Sequence, residues 1–326
     1  MRPLVLLAAL ILAGPAAGAA PVPWRFAVVA DTHVAPGATA IPGEVVAAAL
    51  ADAAELVLVP GDVVQAGRRV SQDELRAQLD LFRAVVAPLA AAGIPVYPVR
   101  GNHESDARDG LALWDEAFSG AAALPSNGPA GEVNLTYSFV HRNALFVGLD
   151  EYVGLHGVNQ AWLDGQLAGN DRPHVFVFGH EPAFKAFHED GLDDYPGERD
   201  AFWQSLARGG ARVYLCGHDH FFDVARIDDG DGDEGNDLYQ AIVGTGGGEL
   251  FTRHSYDGDN SAYTPRALYH EAQHGYLLVE VGGAGGGDLG VTLTWKRRVV
   301  DPATGAASYV PAWSSGWSAA GAGPSS

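Results

Sequence analysis

The feature that most constrains this chain is a repeated stop: short apolar runs break off at a small residue followed at once by Asp, Asn or His. Arg25 to Ala30 ends at Asp31, Glu55 to Val59 leads to Gly61-Asp62, and Pro95 to Val99 leads to Gly101-Asn102-His103. His174 to Phe178 and Arg212 to Cys216 both lead to Gly-His. Apolar runs this short, bounded by turn formers, fit buried strands. Between the first of them lie Ala- and Leu-rich stretches with helical spacing, Pro42 to Ala54 and Ser71 to Ala92, the second opening on Ser71 and Glu74 as a capping box. Alternation of strand, helix and strand implies parallel pairing.

The pattern changes at Leu135 to Val140 and Ala144 to Leu149, two alternating runs separated by His141-Arg142-Asn143 that predict a hairpin. Helices are expected over Asn159 to Leu167 and Glu198 to Ala207. Beyond Phe221 the chain reads as mostly β, over Asp223 to Ile227, Leu238 to Val243, Gly275 to Val281 and Leu289 to Arg298. The expectation is an α/β fold of two packed sheets with helices outside, one domain over residues 21–300. The acidic run Asp228 to Asp237 has the look of a calcium loop but carries Gln240 where the last acidic ligand belongs, so it reads as a solvated hairpin tip. Residues 301–326, rich in Ala, Gly and Ser around Trp313 and Trp317, read as a flexible C-terminal tail.

Residues 1–20 read as a signal peptide: Arg2, an apolar run from Leu4 to Leu12, then small residues up to Ala20. The run is shorter than the roughly 20 residues that cross a bilayer, so export, periplasmic or secreted, without a lasting membrane anchor is expected. The single Cys216 cannot form an internal disulfide and suits a buried strand better than a nucleophile. With 20 basic against 40 acidic residues the formal charge is -20. Such a chain repels nucleic acid polymers and anionic lipid, and favours a small substrate whose charge is neutralised locally.

The polar residues that end the strands are themselves the functional signal. Loops at the carboxyl ends of parallel strands converge on one crevice, so Asp31, His33, Asp62, Asn102, His103, His180, His218 and His220 can meet although far apart in sequence. Within Asp31/His33 and His218/His220 the intervening residue can point elsewhere. A mixed oxygen and imidazole set suits Zn, Mn or Fe rather than Ca. It also exceeds what one tetrahedral ion needs. Two ions sharing a carboxylate resolve the excess, with a solvent-derived hydroxide as the other bridge.

The blocks ADTH (30–33), GD (61–62), GNHE (101–104), GH (179–180) and GHDH (217–220) occur in an order that resembles the calcineurin-like metallophosphoesterase superfamily, over about residues 26 to 250. The resemblance implies a four-layer αββα sandwich and a dinuclear metal centre of Mn, Fe or Zn. One ion would be held by Asp31, His33, Asp62 and His220 and the other by Asp62, Asn102, His180 and His218, with Asp62 as the bridge. It also implies hydrolysis of small phosphate esters, monoesters foremost and diesters as the alternative, by a bridging hydroxide with His103 as general acid. A metal-stabilised binding module without turnover would lack a ligand or the acid, and neither is missing. The purple acid phosphatase branch carries a Tyr ligand three residues after the bridging Asp; here that position is Gln65, although Gln160 to Leu163 and Gly244 to Gly248 are similar to that branch.

Other residues were less constrained by pattern. Glu104 or Asp150 is a candidate to orient His103, and Arg100 either contacts phosphate or pairs with a carboxylate. Phe184, Phe187, His188, His254 and Tyr256 fall in loops that either line a pocket or pack. His141, His156, His174, His270 and His274 show no comparable placement.

Overall fold

The apolar runs form strands in the computed structural model, which describes residues 22–282 and 290–318. In chain order these are β1 (Trp24–Val28), β2 (Val57–Pro60), β3 (Val96–Val99), β4 (Tyr137–His141), β5 (Ala144–Gly148), β6 (His174–Phe178), β7 (Val213–Cys216), β8 (Phe222–Asp228), β9 (Leu238–Val243), β10 (Thr264–Glu271), β11 (Gly275–Val281), β12 (Val291–Val300) and β13 (Ala307–Trp317). The helices are α1 (Ala40–Ala51), α2 (Gln72–Ala91), α3 (Asn102–Ser105), α4 (Gly110–Ala117), α5 (Gln160–Ala168) and α6 (Pro196–Arg208). The capping box is present at α2, where Ser71 Oγ accepts from the Glu74 amide and Glu74 Oε2 from the Ser71 amide.

The strands divide into two mixed sheets, ordered β13-β12-β11-β1-β2-β3 and β10-β8-β9-β7-β6-β5-β4. The three strands β1, β2 and β3 pair in parallel through two crossovers, as do β5, β6, β7 and β9, while β11 to β13 and β8, β10 and β4 pair antiparallel. Aromatic rings fill the space between the sheets: Phe26 meets Phe146 and Phe176 at 5.2 and 4.8 Å, and Phe222 stacks on Trp295 at 4.2 Å. On the outer face of the first sheet Val45, Leu79, Phe82 and Trp114 of α1, α2 and α4 are buried, and on the outer face of the second Leu163, Phe202, Trp203 and Leu206 of α5 and α6. This is the expected four-layer αββα sandwich. Each layer has an apolar face that only its neighbour can cover.

Four elements were not foreseen, strands β10 and β13 and helices α3 and α4. Residues 307–317, expected within a flexible tail, are the edge strand β13, and the domain expected to close at 300 continues through it. Its Tyr309, Trp313 and Trp317 pack on the core, and pairing with β12 supplies the hydrogen bonds. An edge strand needs only one anchoring face, so its Ala, Gly and Ser content hides it from a reading by composition. Strand β10 is likewise an edge strand, and the short helices α3 and α4 were not expected either. The tip at residues 229–237 is a solvated turn as expected, its Asp side chains accepting from amides two residues on. Among the described residues no helix is long and apolar enough to cross a membrane. The expected signal peptide, residues 1–20, lies outside the described residues.

Candidate metal centre

The carboxyl ends of β1, β2 and β3 from one sheet and of β6 and β7 from the other open on one crevice, and all seven expected ligands stand in it. Asp31, His33, Asp62 and His220 form one group, their donor atoms all within 4.8 Å of one another. His220 Nε2 lies 3.1 Å from His33 Nε2 and 3.4 Å from Asp31 Oδ1; Asp62 Oδ2 lies 3.4 Å from His33 Nε2. The second group continues from Asp62: its Oδ2 is 3.6 Å from His180 Nε2, and Asn102 Oδ1 is 3.1 Å from that nitrogen and 3.2 Å from His218 Nδ1. A tetrahedral ion with bonds of about 2.0–2.1 Å separates its donors by roughly 3.3 Å. The spacings fit such an ion in each group, and Asp62 belongs to both.

The intervening side chains do point elsewhere, as the alternation predicts. Thr32 Oγ1 donates to the Val63 carbonyl at 2.8 Å, and Asp219 Oδ1 accepts from the His188 amide at 3.0 Å. His180 Nδ1–H donates to the Pro60 carbonyl at 2.9 Å and His220 Nδ1–H to the Glu249 carbonyl at 2.6 Å. Each hydrogen bond leaves Nε2 with its lone pair facing the crevice.

The backbone is strained where the donors sit. Asp31, His33, Asp62 and His218 have φ of 55°, 44°, 49° and 69°, left-handed values that cost a side-chain-bearing residue free energy and persist only where surroundings enforce them. Two glycines make the enforced packing possible. A Cβ on Gly61, itself at φ +81°, would stand 2.2 Å from His180 Nδ1, and one on Gly101 2.1 Å from Asp62 Oδ1. The glycines of the repeated stops are thus needed for close approach of ligand loops, beyond ending strands.

Electrostatics agree with the geometry. Burial would raise the Asp31 carboxyl, but the imidazoles of His220 and His33 beside it outweigh that and hold the group well below the usual range. Asp62 is likewise lowered against burial by His180, His33 and His103. Burial lowers His33 and His218, but the carboxylates beside them, Asp31 and Asp62 for one and Asp190 and Asp219 for the other, push both up to about 10. Asp31 Oδ1 is buried without a hydrogen-bond partner, which is costly unless a cation is its partner. The donor set therefore fits borderline divalent ions.

His103 stands beside both groups. Its amide donates to Asp62 Oδ1 at 2.9 Å, its Nδ1 faces the Gln65 carbonyl at 2.9 Å, and its Nε2 is 3.9 Å from Asp62 Oδ2. The orienting group is thus a backbone carbonyl, and neither expected carboxylate fills that place. Glu104, fully buried, accepts from the Val64 and Gly101 amides and ties two ligand loops together; burial and Asp62 push it up to about 8. Asp150 takes both hydrogen bonds of buried Arg100 at 2.6 and 2.9 Å, so Arg100 pairs with a carboxylate rather than standing free for phosphate. The Gln65 side chain is exposed.

Of the loop candidates, Phe184 is core, set edge-on against Trp203 at 4.9 Å. Phe187 and His188 do reach the crevice: the His188 ring lies 4.2 Å from that of His218, and Phe187 stacks on Phe251, which stacks on His220 at 4.5 Å. His254 and Tyr256 go instead to Asp223, where His270 also lies. His141 pairs with Glu55, His156 with Glu181, and His274 faces the Thr245 carbonyl; His174 is buried in β6. Cys216 is buried, and burial holds its thiol well above the ordinary value, as a structural cysteine requires.

Sequence reasoning missed the support around His180. Glu151 accepts from the amides of His180 and Glu181 at 2.8 and 2.6 Å, and Tyr152 lays its ring 6.2 Å from that of His180. Both stand in the loop just after β5, so the rule that picked the candidate donors, polar residues near strand ends, points to them too. Asp190, 3.4 Å from His218 Nε2, and Phe251 lie on loops with no such signal.

Residues 25–222 match the family model for calcineurin-like phosphoesterases. No curated protein matches the chain. Among solved structures it is similar to purple acid phosphatase PPD1 from yellow lupin (Lupinus luteus) seeds, with 14% identity and a TM-score of 0.64 over 92% of this chain and 55% of that one. It thus spans just over half of that protein's length. PhoD is similar at 14% identity and a TM-score of 0.63, over 96% of this chain and 73% of that one. GAP50, the anchor in the inner membrane complex of Plasmodium, is similar at 13% identity and a TM-score of 0.56, over 89% of each chain. At these identities the likeness is one of fold.

Proposed function

The chain belongs to the calcineurin-like phosphoesterase family, and on that premise we propose that it hydrolyses small phosphate esters, monoesters foremost, with two ions of Mn, Fe or Zn. Asp31, His33, Asp62 and His220 would hold one ion and Asp62, Asn102, His180 and His218 the other. The observation that carries this reading is the double donor set sharing Asp62, built on four strained backbone positions. When bound, the ions supply Lewis acidity toward the phosphoryl oxygens and a water of lowered pKa as nucleophile.

The chain's own residues do the rest. The His103 amide fixes one oxygen of Asp62 and so turns the other toward both donor groups. The Gln65 carbonyl holds His103 Nδ1–H, which leaves Nε2 toward the crevice on a side chain about a quarter exposed. Protonated there, the ring donates its proton to the departing alkoxide, a step that contributes about 10²–10⁴-fold. Phe251 and Phe187 wall the crevice beside His220. The surplus of acidic residues excludes nucleic acid polymers and leaves small esters.

A diester reading has one observation in its favour. Asp190, half exposed beside His218, places a negative group near the second donor set, which favours a singly charged diester over a doubly charged monoester. One panel tests both: chromogenic monoesters and diesters, with protein reconstituted in Mn, Zn or Fe, beside His103→Ala and Asp62→Asn. Asp62→Asn abolishes turnover. His103→Ala loses at least roughly 10²-fold, most on poor leaving groups. An equal loss on good and poor leaving groups would exclude the acid role, and absence of metal-dependent turnover on every ester would exclude the enzyme. The segment 1–20 supports export, periplasmic or secreted, with no anchor retained; N-terminal sequencing of the exported protein tests it.

A further inference from the structure

Away from the crevice, three side chains aim nitrogen and oxygen atoms at one point. Asp223 on β8 and His270 on β10 are register partners across an antiparallel pair, so both side chains stand on the same face. His254, from the loop after Gly244 to Gly248, stacks over His270 with ring centroids 4.2 Å apart and planes 13° apart. Asp223 Oδ2 lies 3.2 Å from His254 Nε2 and 3.3 Å from His270 Nδ1.

These contacts are not hydrogen bonds. Asp223 Oδ2, His254 Nε2 and His270 Nδ1 are each buried and each lack a hydrogen-bond partner. Three orphaned polar atoms facing one another are costly if nothing lies among them. The two oxygen–nitrogen separations match the roughly 3.3 Å edge of a tetrahedron with bonds of about 2.0–2.1 Å, and all three donors lie within 4.8 Å of one another. The other carboxylate oxygen, Asp223 Oδ1, accepts from the Tyr256 hydroxyl, which fixes the carboxylate so that Oδ2 faces the imidazoles, as partners behind metal ligands do. Phe221 packs its ring 4.7 Å from that of His270 and gives the cluster an apolar floor.

We propose that Asp223, His254 and His270 bind one zinc-class divalent ion, separate from the crevice. Two imidazoles and one carboxylate suit Zn and its neighbours, whereas Ca and Mg demand more oxygen ligands. The two imidazoles keep about a quarter of their surface exposed, so solvent completes the coordination. The ion's consequence is mechanical. His254 lies on the loop that carries Phe251, and the ties of that loop to the rest of the chain include Phe251 N to the His220 carbonyl, Ser255 N to the Ala186 carbonyl, Arg199 to the Asp259 carbonyl, Lys185 to Asp257, and the Tyr256 hydroxyl to Asp223. A metal joining His254 to β8 and β10 clips the loop to the sheet and steadies the wall beside His220.

The site does not depend on the hydrolysis proposed above, and its test is a difference. Metal-free full-length protein is dialysed against zinc, and bound metal is counted for wild type, His254→Ala/His270→Ala and Asp31→Asn/Asp62→Asn. The histidine variant is expected to hold one zinc fewer than wild type, and the carboxylate variant to keep one. Equal zinc in wild type and the histidine variant overturns the site, as does a carboxylate variant that binds none. His254→Gln changes a single loop side chain that is about a quarter exposed, so it keeps the fold; it weakens this zinc about tenfold or more and leaves residues 249–263 open to proteolysis in zinc, where wild type is protected. Identical cleavage of both proteins in zinc also overturns the proposal.

Discussion

Replacing Gly101 by Ala isolates the packing on which the crevice depends. Gly101 has φ -107°, a value any residue adopts, so the substitution is conformationally neutral and its effect is steric alone. The new Cβ would stand 2.1 Å from Asp62 Oδ1 and 2.5 Å from the Asp62 amide nitrogen, where contacts below 3.0 Å essentially never occur. Asp62 must therefore retreat by roughly 1 Å, about half the length of a metal–oxygen bond, and such a misplacement costs on the order of 10²-fold. Because Asp62 lies in both donor groups, both ions are expected to bind about 10²-fold more weakly, and kcat/KM to fall in step. The assay is a zinc titration against a competing chelator, with circular dichroism to show the fold intact. Gly165→Ala is the control: nothing lies within 4 Å of that Cβ, so the helix gains about 0.4–1 kcal/mol and zinc affinity is unchanged. Wild-type affinity for both ions in the Gly101 variant would refute the reasoning.

Two further outcomes are expected. Glu55 accepts from His141 at 2.8 Å and from Arg142 at 2.6 and 2.7 Å, linking the start of β2 to the β4–β5 turn of the other sheet. Burial would raise its carboxyl, but Arg142 and His141 lower it below 4.5, so the stabilisation is present above pH 4.5 and is lost as pH falls through the lower folded value. Glu55→Gln should therefore cost up to about 1 kcal/mol at pH 7 and progressively less in acid; a gap to wild type that stays constant from pH 7 to 3 in urea unfolding would reject this. Deleting the chain after Pro302 removes β13 and uncovers Phe222 and Trp295, so Tm should drop by roughly 10 °C or more. An unchanged Tm would mean that β13 contributes nothing.

Much of the fold was legible because its signals are local. The capping box at Ser71 and Glu74, the helical spacing of α1, α2, α5 and α6, and the abrupt ends of β1, β2, β3, β6 and β7 depend on residues within a few positions of one another. Strand β13 was not legible, because Ala, Gly and Ser can serve an edge strand once β12 offers a partner, and nothing within 307–317 announces that partner. Arg100 and His103 show the same limit. Their neighbours in sequence include carboxylates, yet Arg100 found Asp150, fifty residues on, and His103 found a backbone carbonyl at Gln65.

The sequence by itself determined the kinds of donor and their number, and through the order of its strand ends that they would face one crevice. Only the tertiary structure decided that Asp62 stands within 3.4 Å of His33 and 3.6 Å of His180, that four of the candidate donor residues sit in left-handed backbone, and that His254 and His270, without pattern in the sequence, meet at Asp223. The reason is physical. Which side chains are available is a local property of the chain, whereas a distance of a few ångströms between atoms many residues apart is set by sheet register and by the room a glycine leaves, and both exist only after the layers have packed.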